Sequence, residues 1–272
     1  MQNRLNQNDV TNRVNVEDAN EVRDAVLAIF RARYPGADLA PVARAFGDVK
    51  ALFEGDYPGY LPCDTLYHDA RHTLDMTLAM ARLIEGHDRI RPGAGSLGPR
   101  RAILGVVIAL LHDSGYMRRA SEGHVQNGAV FTKVHVSRSA DFLLRYLPGL
   151  GFAPEAETAS RLVHFTGYEM DVDDIKVADP KDRMLGYMVG TADLIGQMSD
   201  RMYLEKCREF LYEEFVLGAA DRYAEAHFDG PSLYQSEIDS NMRYLREAIE
   251  SADLNRLRRT CYSLSRRPSR AA

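Results

Sequence analysis

The run AILGVVIALL, residues 102 to 111, is apolar on every side and ends directly in His112-Asp113. A segment without a polar face must be enclosed by other elements, so it predicts a central buried helix. Its ten residues are too few to span a bilayer. The fold around it must also accommodate an imidazole and a carboxylate at its end. A buried ionised carboxylate is costly unless it is paired or coordinates a metal. A capping His-Asp pair at a frayed helix end would meet that need as simply as a ligand pair would.

The neighbouring segments read as helices too. One is expected to start near Asn20, with Asn20 as its N-cap, and to run to Pro35-Gly36. PVARAFGDVKALFEG reads as a second, with a possible break at Gly47, and DTLYHDARHTLDMTLAMARLIEG as a third. RPGAGSLGPR is a loop. Further helices are expected at about 129–147, 155–166 and 181–200, and two or three more between 201 and 263. No strand-like alternation persists and no repeat is visible. The expectation is therefore an all-α chain. It has a flexible or loosely docked arm over 1–19, one domain over 20–263 and a basic tail over 264–272, which reads as solvated.

Composition narrows the class. Apolar residues make up 45% of the 272, charged residues 27%, and the formal net charge is −5. Nothing there suggests a nucleic-acid polymer as partner. The three cysteines are far apart and form no CxxC, so a disulfide framework or a thiolate zinc site is not expected. The polar N-terminus has no apolar h-region. A cytoplasmic protein with no membrane association is the resulting expectation.

Five of the eight histidines, His68, His72, His112, His135 and His164, fall beside apolar runs. Unpaired imidazoles make a poor core. His68 and His72 are four apart, which on a helix puts both on one face, although an isolated pair of this kind is more often at the surface. Asp193 lies among Leu185, Met188, Val189 and Ile195, where an aspartate wants a cation, whether arginine or metal. His135 and His164, each taken alone, read as hydrogen-bonded core histidines. His87, His124 and His227 read as surface residues, with His124 a weak site candidate. Taken together, His72, His112-Asp113, His135, His164 and Asp193 place four imidazoles and two carboxylates on successive helices. Nitrogen and oxygen donors without thiolate suit Mn, Fe, Zn, Mg or Co. One aspartate can bridge two such ions, the usual arrangement for phosphate-ester displacement.

That series resembles the HD-domain superfamily of metal-dependent phosphohydrolases over roughly residues 60 to 200, and implies a helical bundle of that kind. Parts are similar to the cyclic-nucleotide phosphodiesterase catalytic domain. YHDARH is similar to its Tyr-His-Asn-x-x-His signature, LLHD to its paired ligands, and TADLIG to its last metal-binding aspartate. HVSRSADFLL resembles the segment after its Glu-Asn-His-His, VHFTGYEM its Leu-Ala-Thr-Asp-Met stretch, and YEEFVLGAADRY weakly a downstream Glu-Phe-Phe helix. Asp69 replaces the signature asparagine, and Tyr116 stands where that family has a histidine. The family's purine-selecting glutamine has no secure match, Gln197 and Gln235 being candidates. His135 and His164 resemble the pair that holds the second metal in bacterial HD proteins.

The resemblance implies two divalent ions. His72, His112, Asp113 and Asp193 are expected to bind the first. Asp113 bridges to the second, completed by His135 and His164. The expected reaction is hydrolysis of a phosphate ester, above all a nucleotide phosphodiester such as a cyclic nucleotide. Hydroxide from a water between the ions attacks phosphorus, and His68 protonates the leaving alkoxide. Lys133, Arg138 and Gln197 are candidate substrate contacts. The expected partner is a small phosphate ester or nucleotide, with a homodimer left open. Two other readings carry the same residues: a mixed-valent di-iron oxygenase and a non-catalytic nucleotide-binding module.

Overall fold

The computed structural model describes residues 7–167 and 169–218. Expectations that fall on 219–272, including the basic tail, Gln235, His227 and the later helices, lie outside the described residues. Within them the chain is all-α, with no strand and two isolated bridges, Asn8 to Asn15 and Tyr60 to Arg119.

Helix α1 spans Ala19–Arg33 and is capped by Asp18, not Asn20; the Asp18 carboxylate accepts from the Asn20 and Glu21 amides. Helix α2, Ala40–Glu54, runs through Gly47 unbroken and ends on Gly55, whose φ of 85° suits the left-handed C-cap. The stretch read as a flexible or loosely docked arm is anchored at Asp9 and Val16. Val16 is in the core, and the buried Asp9 carboxylate accepts from the Arg13 and Val14 amides and from Arg82.

Helix α3, Ala70–Ile90, is capped by Asp69, which accepts from the His72 amide at 2.9 Å. This corrects the placement of His68 on one helical face with His72: His68 lies in the turn before the cap. His87 is also corrected. It is buried at the C-terminal end of α3, bonded to Asp88 at 2.8 Å. His124 is exposed.

Helix α4, Gly98–Leu111, is the expected central helix. The stretch Gly93–Tyr116 is long and apolar enough to cross a membrane by composition, yet every residue from Ala102 to Leu111 is buried in the core. Helix α5 is His135–Tyr146, shorter than expected, because Gly128–Phe131 forms a separate 3₁₀ turn ahead of it. Helix α6, Ala156–Leu162, passes into a 3₁₀ turn at Val163–Phe165. Helix α7 is Pro180–Ser199, and the short helices α8, Tyr203–Lys206, and α9, Tyr212–Leu217, are joined by a π turn at Cys207–Leu211. Helix α3 packs against α1, α4 and α7, while α5 packs on α6 and on the Ser114–Tyr116 turn. The ends of α3, α4 and α5 that carry His72, His112 and His135 thereby meet at one place with the part of α7 that carries Asp193.

Candidate metal centre

The last turn of α4 explains how adjacent residues converge on one point. His112 keeps helical backbone, whereas Asp113 leaves it at φ −102°, ψ 9° and opens the Ser114–Tyr116 turn. His112 and Asp113 are 1% and 3% exposed. The Nδ1–H of His112 donates to the Ala109 carbonyl at 2.8 Å, which turns its Nε2 toward the cluster. That Nε2 is 2.9 Å from Asp113 Oδ2, 3.2 Å from His72 Nε2 and 3.9 Å from Asp193 Oδ1. His72 Nε2 is in turn 3.3 Å from Asp113 Oδ2 and 3.2 Å from Asp193 Oδ1.

These four groups are all buried, and among the described residues no arginine or lysine lines the cavity beside them. Asp113 Oδ2 is enclosed without a properly formed hydrogen bond. Two imidazole nitrogens and two carboxylates facing one another repel unless a proton or a cation lies between them. A proton on His72 meets part of that need. Burial disfavours its imidazolium, but Asp113 and Asp193 outweigh burial and hold its pKa well above the ordinary value. Asp113 is held well below the carboxylate range, burial being outweighed by His112, His68 and His72. A buried donor set of two imidazoles and two carboxylates fits a divalent cation. His72, His112, Asp113 and Asp193 could hold a metal.

The remaining residues lie around this cluster. His135 opens α5, and its Nδ1–H donates to the Thr132 carbonyl at 2.7 Å, leaving Nε2 3.9 Å from Asp113 Oδ1. His164 sits on the Val163–Phe165 turn. Phe165, Thr166 and Gly167 line the cavity beside the cluster, whereas His164 is not among its lining residues. Its Nδ1 is buried and has no hydrogen-bond partner among the described residues.

His68 reaches the same cavity from the turn before α3. Its Nδ1 is 2.5 Å from Glu214 Oε2, and Glu214 Oε1 accepts from the Tyr67 amide at 2.5 Å. Burial opposes a charged His68, but Glu214 and Asp113 outweigh it and raise the pKa of the imidazole. Glu214 is 1% exposed and held below its usual range, because His68 and two backbone amides outweigh its burial. Sequence reasoning does not single out Glu214. The only signal is the weak likeness of the segment YEEFVLGAADRY, which does not say which glutamate matters.

The substrate candidates fare differently. Gln197 lines the cavity and its amide donates to Asp193 Oδ1 at 3.0 Å, so it orients a carboxylate of the cluster. Arg138 does not line it. Its guanidinium is committed to Glu122, to the Gly115 and Met117 carbonyls, and to the face of Phe131 at 3.7 Å. Lys133 is exposed on the connection into α5 and does not line the cavity.

The cavity measures about 110 Å³ and has two characters. One side carries His68, His72, Asp113, His135 and Asp193; the other carries Phe165, Leu194, Leu211 and Phe215. Among the described residues no lysine or arginine lines it. No family model matches the chain, and no curated protein or solved structure matches it either.

Proposed function

We propose that the chain is a dinuclear-metal phosphohydrolase of the HD-domain kind that cleaves a small phosphodiester, such as a cyclic nucleotide. One observation carries the reading: a buried His72-His112-Asp113-Asp193 cluster whose lone pairs converge, with a protonatable imidazole, His68, in the same cavity. His72, His112, Asp113 and Asp193 would hold the first ion. Asp113 and His135 would hold the second; His164, expected to complete it, does not line the cavity.

Ions in those positions supply Lewis acidity, acidifying a water and neutralising charge on the phosphoryl oxygens. The chain's own residues do the rest. Glu214 occupies Nδ1 of His68, so the other ring nitrogen is the one available to a substrate oxygen. The carboxylate favours the imidazolium, the form that can protonate a departing alkoxide. Gln197 and the Ala109 carbonyl fix the orientations of Asp193 and His112. The apolar wall of Phe165, Leu194, Leu211 and Phe215 excludes water and suits the flat or apolar part of an ester.

The test is to quantify bound metal and assay cyclic nucleotides, nucleoside monophosphates and an aryl phosphodiester with Mn, Fe or Co under anoxia. Metal-dependent turnover of a diester is expected. Metal-loaded protein that turns over none of them, or that in air consumes oxygen in place of hydrolysing, would overturn the proposal.

A further inference from the structure

Tyr116 is among the largest fully enclosed side chains of the protein, at 2% exposed, and it stacks on two histidines at once. Its ring centroid is 4.3 Å from that of His68 and 4.4 Å from that of His135, each at an interplanar angle of 20°. The two imidazoles are 6.0 Å apart. Each imidazole is otherwise pinned at one edge, His68 by Glu214 and His135 by the Thr132 carbonyl.

One in-plane hydrogen bond leaves a ring free to swing about that bond. The lone pair or N–H on the far side of the ring lies in the ring plane, so a swing takes it off target. A flat neighbour at stacking distance blocks the swing. Tyr116 is itself tied down. Its side chain is completely enclosed, and the neighbouring Thr132 hydroxyl donates to the Ala129 carbonyl at 2.6 Å. Thr132 holds His135 through its backbone carbonyl. Gly128 lets this turn close on Tyr116, since a Cβ there would come within 2.3 Å of the Tyr116 carbonyl oxygen.

We infer that Tyr116 is a positioning residue that sets the planes of His68 and His135 together, coupling the proton donor to the second metal position. The inference rests on the proposed dinuclear reading for its functional part, and on the ring geometry alone for its structural part.

Two measurements test it. The first needs no metal. In the apo protein, the carbon-bound imidazole protons of His68 and His135, assigned with His68→Ala and His135→Ala, should resonate upfield through the ring current of Tyr116. Tyr116→Phe should keep that shift and Tyr116→Leu should lose it. The second is Mn²⁺ titration. Tyr116→Leu should bind the first equivalent as the wild type does and the second about 10–100-fold more weakly, the range typical when a partner of a metal ligand is removed. Tyr116→Phe should stay close to the wild type.

Unshifted imidazole protons in the wild type would overturn the inference even if Tyr116→Leu does not fold. So would wild-type uptake of both equivalents by Tyr116→Leu, or a Tyr116→Phe that behaves like Tyr116→Leu, since the hydroxyl and not the stack would then matter. A wild type that takes up no second equivalent and cleaves no phosphodiester would fail the dinuclear reading, while the ring-current result would stand by itself.

Discussion

His68 and Glu214, 146 residues apart, meet at 2.5 Å between Nδ1 and Oε2, inside a pocket that leaves Glu214 1% exposed. Glu214 charges His68 against the pull of burial. In a general acid, that charge sets where activity fails on the alkaline side. Glu214→Gln removes it while leaving an acceptor for the Tyr67 amide. The imidazole pKa should fall, so the alkaline limb of kcat should move to lower pH. Turnover of a diester with an alkoxide leaving group should drop about 10–100-fold, within the usual worth of acid catalysis. A nitrophenyl diester, whose leaving group needs no proton, should change little. Equal slowing of both esters would remove His68 from the acid role.

If the His72-His112-Asp113-Asp193 cluster holds a metal, as proposed, binding must move protons. His72 is held protonated by Asp113 and Asp193 in the absence of an ion, and a ligand must give that proton up. Metal uptake should therefore release protons, and affinity should rise with pH. Isothermal titration of Mn²⁺ into metal-free protein in buffers of different ionisation enthalpy reads the number released. Asp193→Asn should weaken the first equivalent about 10–100-fold or more and reduce the release. Proton release that is absent in the wild type would mean that the cluster does not bind through His72.

The helical class and most of the metal cluster are legible in the sequence because they are local. An all-round apolar run ending in His112-Asp113 demands burial and a partner, and Asp193 within apolar neighbours demands the same. What is not legible depends on turns and on distant contacts. The i, i+4 spacing of His68 and His72 suggests one helical face, but Asp69 competes for the cap and starts the helix after His68. Both still reach the site, their rings 5.8 Å apart, because the turn folds back. Glu214 and the Tyr116 stack have no periodic signature at all. Arg138 reads as a phosphate contact while its charge has no visible partner in the sequence, whereas its fork is filled by Glu122 and backbone carbonyls.

Gly115 sits where the chain turns from Asp113 toward Tyr116, and a Cβ there would lie 1.8 Å from the His135 carbonyl oxygen and 2.9 Å from Arg138 Cβ. Gly115→Ala must push the start of α5 away from Asp113. It should lower stability by about 1–3 kcal/mol, as overpacking does, and weaken the second metal equivalent. Gly47 is the control. It is mid-helix in α2 with open space beside it, so Gly47→Ala should raise stability by about 0.5–1 kcal/mol and leave metal binding alone. Urea melts and Mn²⁺ titrations of the two variants decide. A Gly115→Ala protein as stable as Gly47→Ala would mean that the close approach at His135 does not exist.

Asp75, one turn beyond His72 on α3, gives the fold a pH dependence of its own. Burial pushes its carboxyl up to about 7, with Asp200 adding to the rise and Arg71 opposing it. A carboxyl with a raised pKa favours the folded state when protonated. That contribution is complete below the ordinary pKa of 3.8 and is lost as pH rises through about 7. A neutral amide carries no such loss, so Asp75→Asn should gain on the wild type between pH 4 and pH 8. The gain should be about 2–4 kcal/mol, the free-energy equivalent of a shift of this size. Urea unfolding of metal-free protein in chelator at the two pH values measures it and keeps the metal cluster's own protons constant between variants. A stability difference between the two proteins that does not change with pH would show that Asp75 ionises normally, with Arg71 outweighing its burial.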